Sequence, residues 1–171
     1  KENTIVFLQQ MVFKDPHNNW EKHRVFNIFC EKFSEEYSIE YYPNSKLMMT
    51  VAIARKNNNI KSLGDDFYPI SSPMNRAIAV EFNGISFLGI HAGNGSDNKE
   101  YLNSLHGKAD IILGDFNAGN YLESENRDTF NNILKEHICI CNMPTKEIRD
   151  RQKSLKRKSC IDHIFVRECI V

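Results

Sequence analysis

No apolar run in the sequence approaches the roughly 20 residues that a membrane-spanning helix requires. No charged-then-apolar leader with a small-residue cleavage site is visible, so the residues carry no recognisable secretory signal. Neither sign of charge is in excess. The 22 basic and 22 acidic side chains cancel, which excludes a polycation built to coat nucleic acid and leaves any attraction to phosphate to local clustering. A disulfide framework is also missing. Cys30, Cys139, Cys141, Cys160 and Cys169 are odd in number and scattered, and Cys139-Ile140-Cys141 is not a zinc-binding spacing. Small buried thiols in a reducing, cytoplasmic compartment are the expectation. What remains is an ordinary globular composition, 41% hydrophobic and 26% charged, over 171 residues. That length suits one domain, 1–171, with a real core.

The pattern along the chain mixes strands and helices. "IVFLQQMVF" (5–13) opens with an apolar run of strand length. Trp20, Val25, Phe26, Ile28, Phe29 and Phe33 recur at helical spacing and predict an amphipathic helix from about 18 to 36. "YSIEYY" (37–42) and "LMMTVAIAR" (47–55) are rich in strand formers and separated by Pro43-Asn44-Ser45. The polar stretch 55–67 reads as an exposed loop. Asn83-Gly84, between two alternating apolar runs in 76–93, predicts a hairpin closed by a type I′ turn. Helices are expected over 96–108 and 124–137, and strands over "ADIILG" (109–114) and "SCIDHIFV" (159–166). Adjacent strands joined by short turns favour mixed sheets with helices packed outside over a regular parallel array.

Four residues carry candidate chemistry. Asp115 and Asn117 follow the buried run Ile111-Ile112-Leu113 and, two residues apart on an extended segment, share one side. Gly-Asp-x-Asn is equally good turn chemistry, so both readings stand on the local stretch alone. His91 ends the strand "ISFLGIH" on the face of Phe87 and Gly89, and its interest depends on its company. Asp162 sits between Ile161 and Ile164, where a carboxylate is costly unless it meets a donor or a cation. His163 points to the opposite face and is the weaker candidate.

Taken in order, "TIVFLQQ", "GIHAG", "ADIILGDFN" and "SCIDHIFV" resemble the blocks of the endonuclease/exonuclease/phosphatase superfamily. That group includes pancreatic deoxyribonuclease, abasic-site endonucleases, neutral sphingomyelinases and inositol polyphosphate phosphatases. The resemblance spans residues 4–166. It implies an α/β fold (α+β), a four-layer α/β/β/α sandwich of two mixed β-sheets with helices on both outer faces and the site at one end. It further implies that Asp115 orients or deprotonates an attacking water, and that Asn117 hydrogen-bonds the phosphoryl oxygens. By the same resemblance His91 assists the leaving oxygen and Asp162 orients a catalytic histidine. The implied reaction is metal-dependent phosphodiester hydrolysis by in-line water attack, with Mg²⁺ as cofactor and Mn²⁺ as the alternative.

The chain departs from that pattern at Gln10, where the family has a metal-binding glutamate after Leu-Gln. An amide oxygen still coordinates a hard cation but brings no charge. The family's first strand, bearing an asparagine, and its last, bearing Ser-Asp-His, are expected outside these 171 residues. "RDRQKSLKRK" (149–158) carries Arg149, Arg151, Lys153, Lys156, Arg157 and Lys158 against Asp150. It is either a solvated charge run or, because it leads into "SCIDHIF", a phosphate-binding segment using Lys156, Arg157 and Lys158. A nuclease acting on DNA or RNA is the first expectation. A phosphatase or phosphodiesterase of a lipid or small phosphate ester, and a catalytically impaired binding module, are the alternatives.

Overall fold

The computed structural model describes residues 3–12, 21–42, 48–69, 76–93, 98–117, 130–141, 146–149, 156–159 and 161–170. Its elements are β1 (Ile5–Val12), α1 (Glu21–Phe33), β2 (Tyr37–Tyr41), β3 (Met48–Arg55), β4 (Ile60–Ser62), β5 (Ile78–Phe82), β6 (Ile85–His91), α2 (Asn98–Asn103), β7 (Ile111–Asp115), β8 (His137–Cys139), β9 (Lys146–Arg149), β10 (Lys156–Ser159) and β11 (Asp162–Arg167). Among the described residues they form three sheets, ordered β1-β3-β2, β4-β5-β6-β7-β11-β8 and β10-β9. Of the described strands only β6 and β7 pair in parallel, so the six-stranded sheet is mixed, whereas the three-stranded sheet is antiparallel.

Side-chain alternation along the central strands builds the layers. On β3, Met49, Val51 and Ile53 face α1 and pack with Phe26 and Phe29, while Ala52 faces the second sheet. Between the sheets lie Ile5, Phe7, Ala52, Ile78, Val80 and Phe87. On the far face of the six-stranded sheet, Leu88, Ile90, Ile112, Phe116 and Phe165 meet Leu102 and Leu105 of the α2 region, with Phe130 and Ile133. Two sheets are thus stacked as expected, with α1 on the outer face of the three-stranded sheet; on the far face of the other the helical cover expected there is slight, α2 being six residues long. The parallel β6–β7 pair requires a crossover, and α2 lies on it.

The hairpin turn forms as read. Asn83 (φ 50) and Gly84 (φ 83) both adopt the positive dihedrals of a type I′ turn. Several boundaries differ from the sequence reading. The first helix spans Glu21–Phe33 and leaves Ile28 exposed rather than on the apolar face. In the segment read as an exposed loop, Ile60–Ser62 pairs with β5, because Ile60 has an apolar place between the sheets. Of the helix expected over 124–137, residues 124–129 lie outside the described residues and Phe130 is helical, but the chain then leaves the helix for a single turn at Ile133–Lys135 and β8. Register against β11 wins there, and the buried His137 ring Nε2 donates to the Ala109 carbonyl at 2.8 Å. Lys156, Arg157 and Lys158, read within a charge run, have strand backbone paired with β9, and Ser159, read as the start of the last strand, ends that pairing while β11 begins at Asp162. The described cysteines are thiols, not disulfides, but they are not fully buried: Cys30, Cys139 and Cys141 are half-buried and Cys169 is exposed.

Candidate active site

The parallel pairing of β6 with β7 sets His91 beside Asp115, and the antiparallel pairing of β7 with β11 sets Asp162 on the other side of Asp115. Three polar residues from distant parts of the chain thus lie abreast at one end of the six-stranded sheet. As register partners they share one face. His163 lies on the opposite face, buried among Phe116, Phe130 and Phe165.

Asp115 makes the turn that the sequence allowed and also approaches the candidate histidine. One oxygen, Oδ1, accepts the Asn117 N–H at 2.8 Å, the short-range turn that Asp-x-Asn forms, and Asn117 takes φ 45 to do so. The other, Oδ2, lies 3.8 Å from His91 Nε2, with the Asp115 side chain 15% exposed and His91 only 5%. Asn117 Nδ2 donates to the Ala92 carbonyl at 2.7 Å, which fixes the amide at the strand end and leaves its oxygen for another partner.

His91 is held from three sides. Arg76 Nη1 lies 3.3 Å from Nδ1, the Gln10 amide 3.4 Å from Nε2, and Asp115 beyond it. Arginine has no acceptor, so Nδ1 accepts from Arg76 and the neutral ring carries its proton on Nε2, toward Asp115; the Gln10 Nε2 beside it, itself a donor, is then a neighbour and not a hydrogen-bond partner. Burial and then the Arg76 charge push the His91 pKa below its ordinary value, while Asp115 and Asp162 oppose them. The ring is accordingly neutral at pH 7.

Sequence reasoning missed Arg76, although the signal was present. The two-residue turn at Asn83-Gly84 fixes the register Phe82↔Ile85 through Ile78↔Gly89. Two residues further, Arg76 falls opposite His91, whose N–H donates to the Arg76 carbonyl at 3.2 Å. Thr50 was missed too. It is buried on β3 and donates Oγ1 to the same carbonyl at 2.5 Å, tying the first sheet to the second beside the site.

Gln10 does reach the site, at a break in the β1–β3 register and with φ 58. Among the described residues, no three His, Cys, Asp or Glu side chains are grouped to hold a metal ion. The oxygen donors gathered at this sheet end are the carboxylates of the register partners Asp115 and Asp162, and the Gln10 side chain reaches the neighbouring His91. These are hard oxygen donors of the kind Mg²⁺ takes, one charge poorer than a set with glutamate at position 10. Lys156, Arg157 and Lys158 lie on β10, and Ser159 at its end is three residues from Asp162; their side chains lie outside the described residues.

No protein-family model matches the chain, and no curated protein matches its sequence. Solved structures match its fold. D. rerio TDP2 complexed with a single-strand DNA product superposes at TM-score 0.58 with 15% identity, over 95% of this chain and 70% of that one. The 3′-5′ exonuclease NExo from Neisseria meningitidis gives 0.57 with 16% identity, over 96% and 77%. An AP endonuclease from Archaeoglobus fulgidus gives 0.57 with 14% identity, over 95% and 76%. The chain has the endonuclease/exonuclease/phosphatase fold.

Proposed function

We propose that the chain is a phosphoesterase that hydrolyses phosphodiester bonds of DNA or RNA with the aid of a divalent cation. The observation that carries this reading is the side-by-side arrangement of His91, Asp115 and Asp162 at one sheet end, with Asn117 closing the same corner. Hydrolysis requires an aligned water, neutralisation of charge growing on the phosphoryl oxygens and help for the departing alkoxide. In the proposed reaction, Asp115 aligns the water and takes its proton as the oxygen attacks phosphorus. Asn117 offers the second N–H of its Nδ2 to a phosphoryl oxygen, and Arg76 adds positive charge on the same side. His91 donates a hydrogen bond from Nε2–H to the leaving oxygen as the P–O bond breaks, and the alkoxide takes its proton from solvent while Asp115 later returns its own to solvent. Asp162, register partner of Asp115, holds the site's negative potential and orients a donor.

Mg²⁺, or Mn²⁺ in its place, would be held by the Gln10 amide oxygen together with the Asp115 and Asp162 carboxylates. When bound, it supplies neutralisation of the phosphoryl and leaving oxygens. Nucleic acid is favoured because the TDP2 structure holds a DNA product and the other two neighbours are an exonuclease and an AP endonuclease. The basic side chains of β10, Lys156, Arg157 and Lys158, adjoin the site in sequence and would follow a phosphate backbone. Cysteines held as thiols agree with a reducing, cytoplasmic setting. No helix of the described residues is long and apolar enough to cross a membrane.

Gln10 favours a second reading, a binding module with impaired catalysis. Labelled single- and double-stranded DNA, RNA and a small phosphodiester, each incubated with Mg²⁺ and then with EDTA, separate the two. Cleavage of nucleic acid that EDTA abolishes is expected. Turnover of the small ester alone moves the substrate assignment. Binding without turnover, even in Gln10→Glu, selects the module.

A further inference from the structure

Gln9 and Gln10 are consecutive, yet both reach the second sheet. In an unbroken strand they would point to opposite faces. Phe7 points between the sheets, its ring centroid 6.1 Å from that of Phe87, and Gln9 continues that side. The register break between Leu8 and Met11 inserts the extra residue that lets the Gln10 amide, itself solvent-exposed, reach His91 as well. Met11 then resumes the outward face, in the core beneath α1.

Gln9 Nε2 donates to the Ile90 carbonyl at 2.5 Å. Ile90 immediately precedes His91 and pairs in register with Gly114, which immediately precedes Asp115. Gly114 has φ 136, and a Cβ there would collide with both the Ile90 carbonyl and the Gln9 amide nitrogen. A single amide from the first sheet therefore occupies the space on which the last residues before His91 and Asp115 both depend. Gly89 shows the same close approach one register step away, where a Cβ would strike the Phe7 ring.

We infer that Gln9 is a positioning residue. Its amide, seated over Gly114 and bonded to Ile90, ties the bulged end of β1 to the paired ends of β6 and β7. It thereby fixes the spacing of Gln10, His91 and Asp115. Gly114 is glycine because no side chain fits beneath that amide. This inference rests on the phosphodiesterase reading proposed above.

The test compares Gln9→Met, which keeps length and volume but removes the donor, with Gly114→Ala and the double variant. Urea unfolding first establishes that each is folded at the assay temperature. A misplacement of about 1 Å costs on the order of 100-fold in rate. Gln9→Met is therefore expected to lower kcat about 10- to 100-fold while KM stays within about threefold of wild type. Because both positions belong to one device, the double variant is expected to fall no more than about threefold below the worse single variant. Wild-type kcat in a folded Gln9→Met, or independent, multiplying losses in the double variant, would overturn the inference. A wild type that does not cleave counts against the phosphodiesterase reading, and positioning is then judged from the His91 ring resonances. Displaced resonances in folded Gln9→Met support it, and unchanged ones refute it.

Discussion

Thr50→Val probes how tightly the two sheets are tied beside the site. Thr50 is buried, and its hydroxyl sits 2.5 Å from the Arg76 carbonyl, the carbonyl that also receives the His91 N–H. Valine keeps the methyl that faces Gly89 and puts a second methyl where the hydroxyl was. A carbon rests about 3.3–3.6 Å from a carbonyl oxygen, so the strands must part by about 1 Å or the side chain must leave its rotamer. The lost hydrogen bond contributes about 0.5–1.5 kcal/mol and the overpacking at least about 1 kcal/mol. Because the carbonyl keeps its His91 donor, the total should stay near the low end, about 1.5–3 kcal/mol. Thr50→Ser retains the hydroxyl and loses one methyl, for about 1 kcal/mol. Urea denaturation of the three proteins measures both costs, and the valine variant should melt about 3–12 °C below wild type. If Thr50→Val proves as stable as Thr50→Ser or more so, the inter-sheet tie through Arg76 is wrong.

Other perturbations act on the site directly. Arg76→Met removes one of the causes, second to burial, that hold the His91 pKa down, so the ring should titrate nearer its ordinary value in NMR; Asp115→Asn should move it further down. Because the folded-state pKa is depressed, protonating His91 opposes folding. Its penalty is absent above the unfolded value of about 6.5, and stability should fall with pH below it, less steeply in Arg76→Met. Gln10→Glu adds the missing charge, and calorimetry should show Mg²⁺ or Mn²⁺ binding at least about tenfold tighter. Replacing Lys156, Arg157 and Lys158 with alanine should flatten the salt dependence of DNA binding, by about one unit of slope for each phosphate no longer neutralised.

Much of the architecture was legible because it follows from short-range rules. Asn83-Gly84 announces the β5–β6 hairpin, and the richness of 47–55 in strand formers announces β3. The polar residues at the ends of "GIHAG", "GDFN" and "CIDHIF" were visible as candidates, but their assembly was not. It depends on the parallel β6–β7 register, which joins residues 24 apart across α2, and on β11 closing beside β7. Arg76 was overlooked because its position in the site comes from carrying the hairpin register past the strand end. The reach of Gln10 to His91 was hidden for a different reason. A bulge shifts strand parity by one residue, and nothing in the composition of "FLQQMV" marks where the shift falls. The short β8 was lost to a helical reading because "ILKEHIC" satisfies both periods, and pairing with β11 decides between them.

Asp115 as the residue that prepares the attacking water is the step on which the proposed chemistry turns. Single-turnover cleavage of a labelled oligonucleotide by Asp115→Ala, in the presence of Mg²⁺ and after circular dichroism has shown the variant folded, probes that step alone. A loss of about 10²- to 10⁴-fold relative to wild type is expected. Cleavage by Asp115→Ala at the wild-type rate would remove Asp115 from the reaction and refute the proposed mechanism.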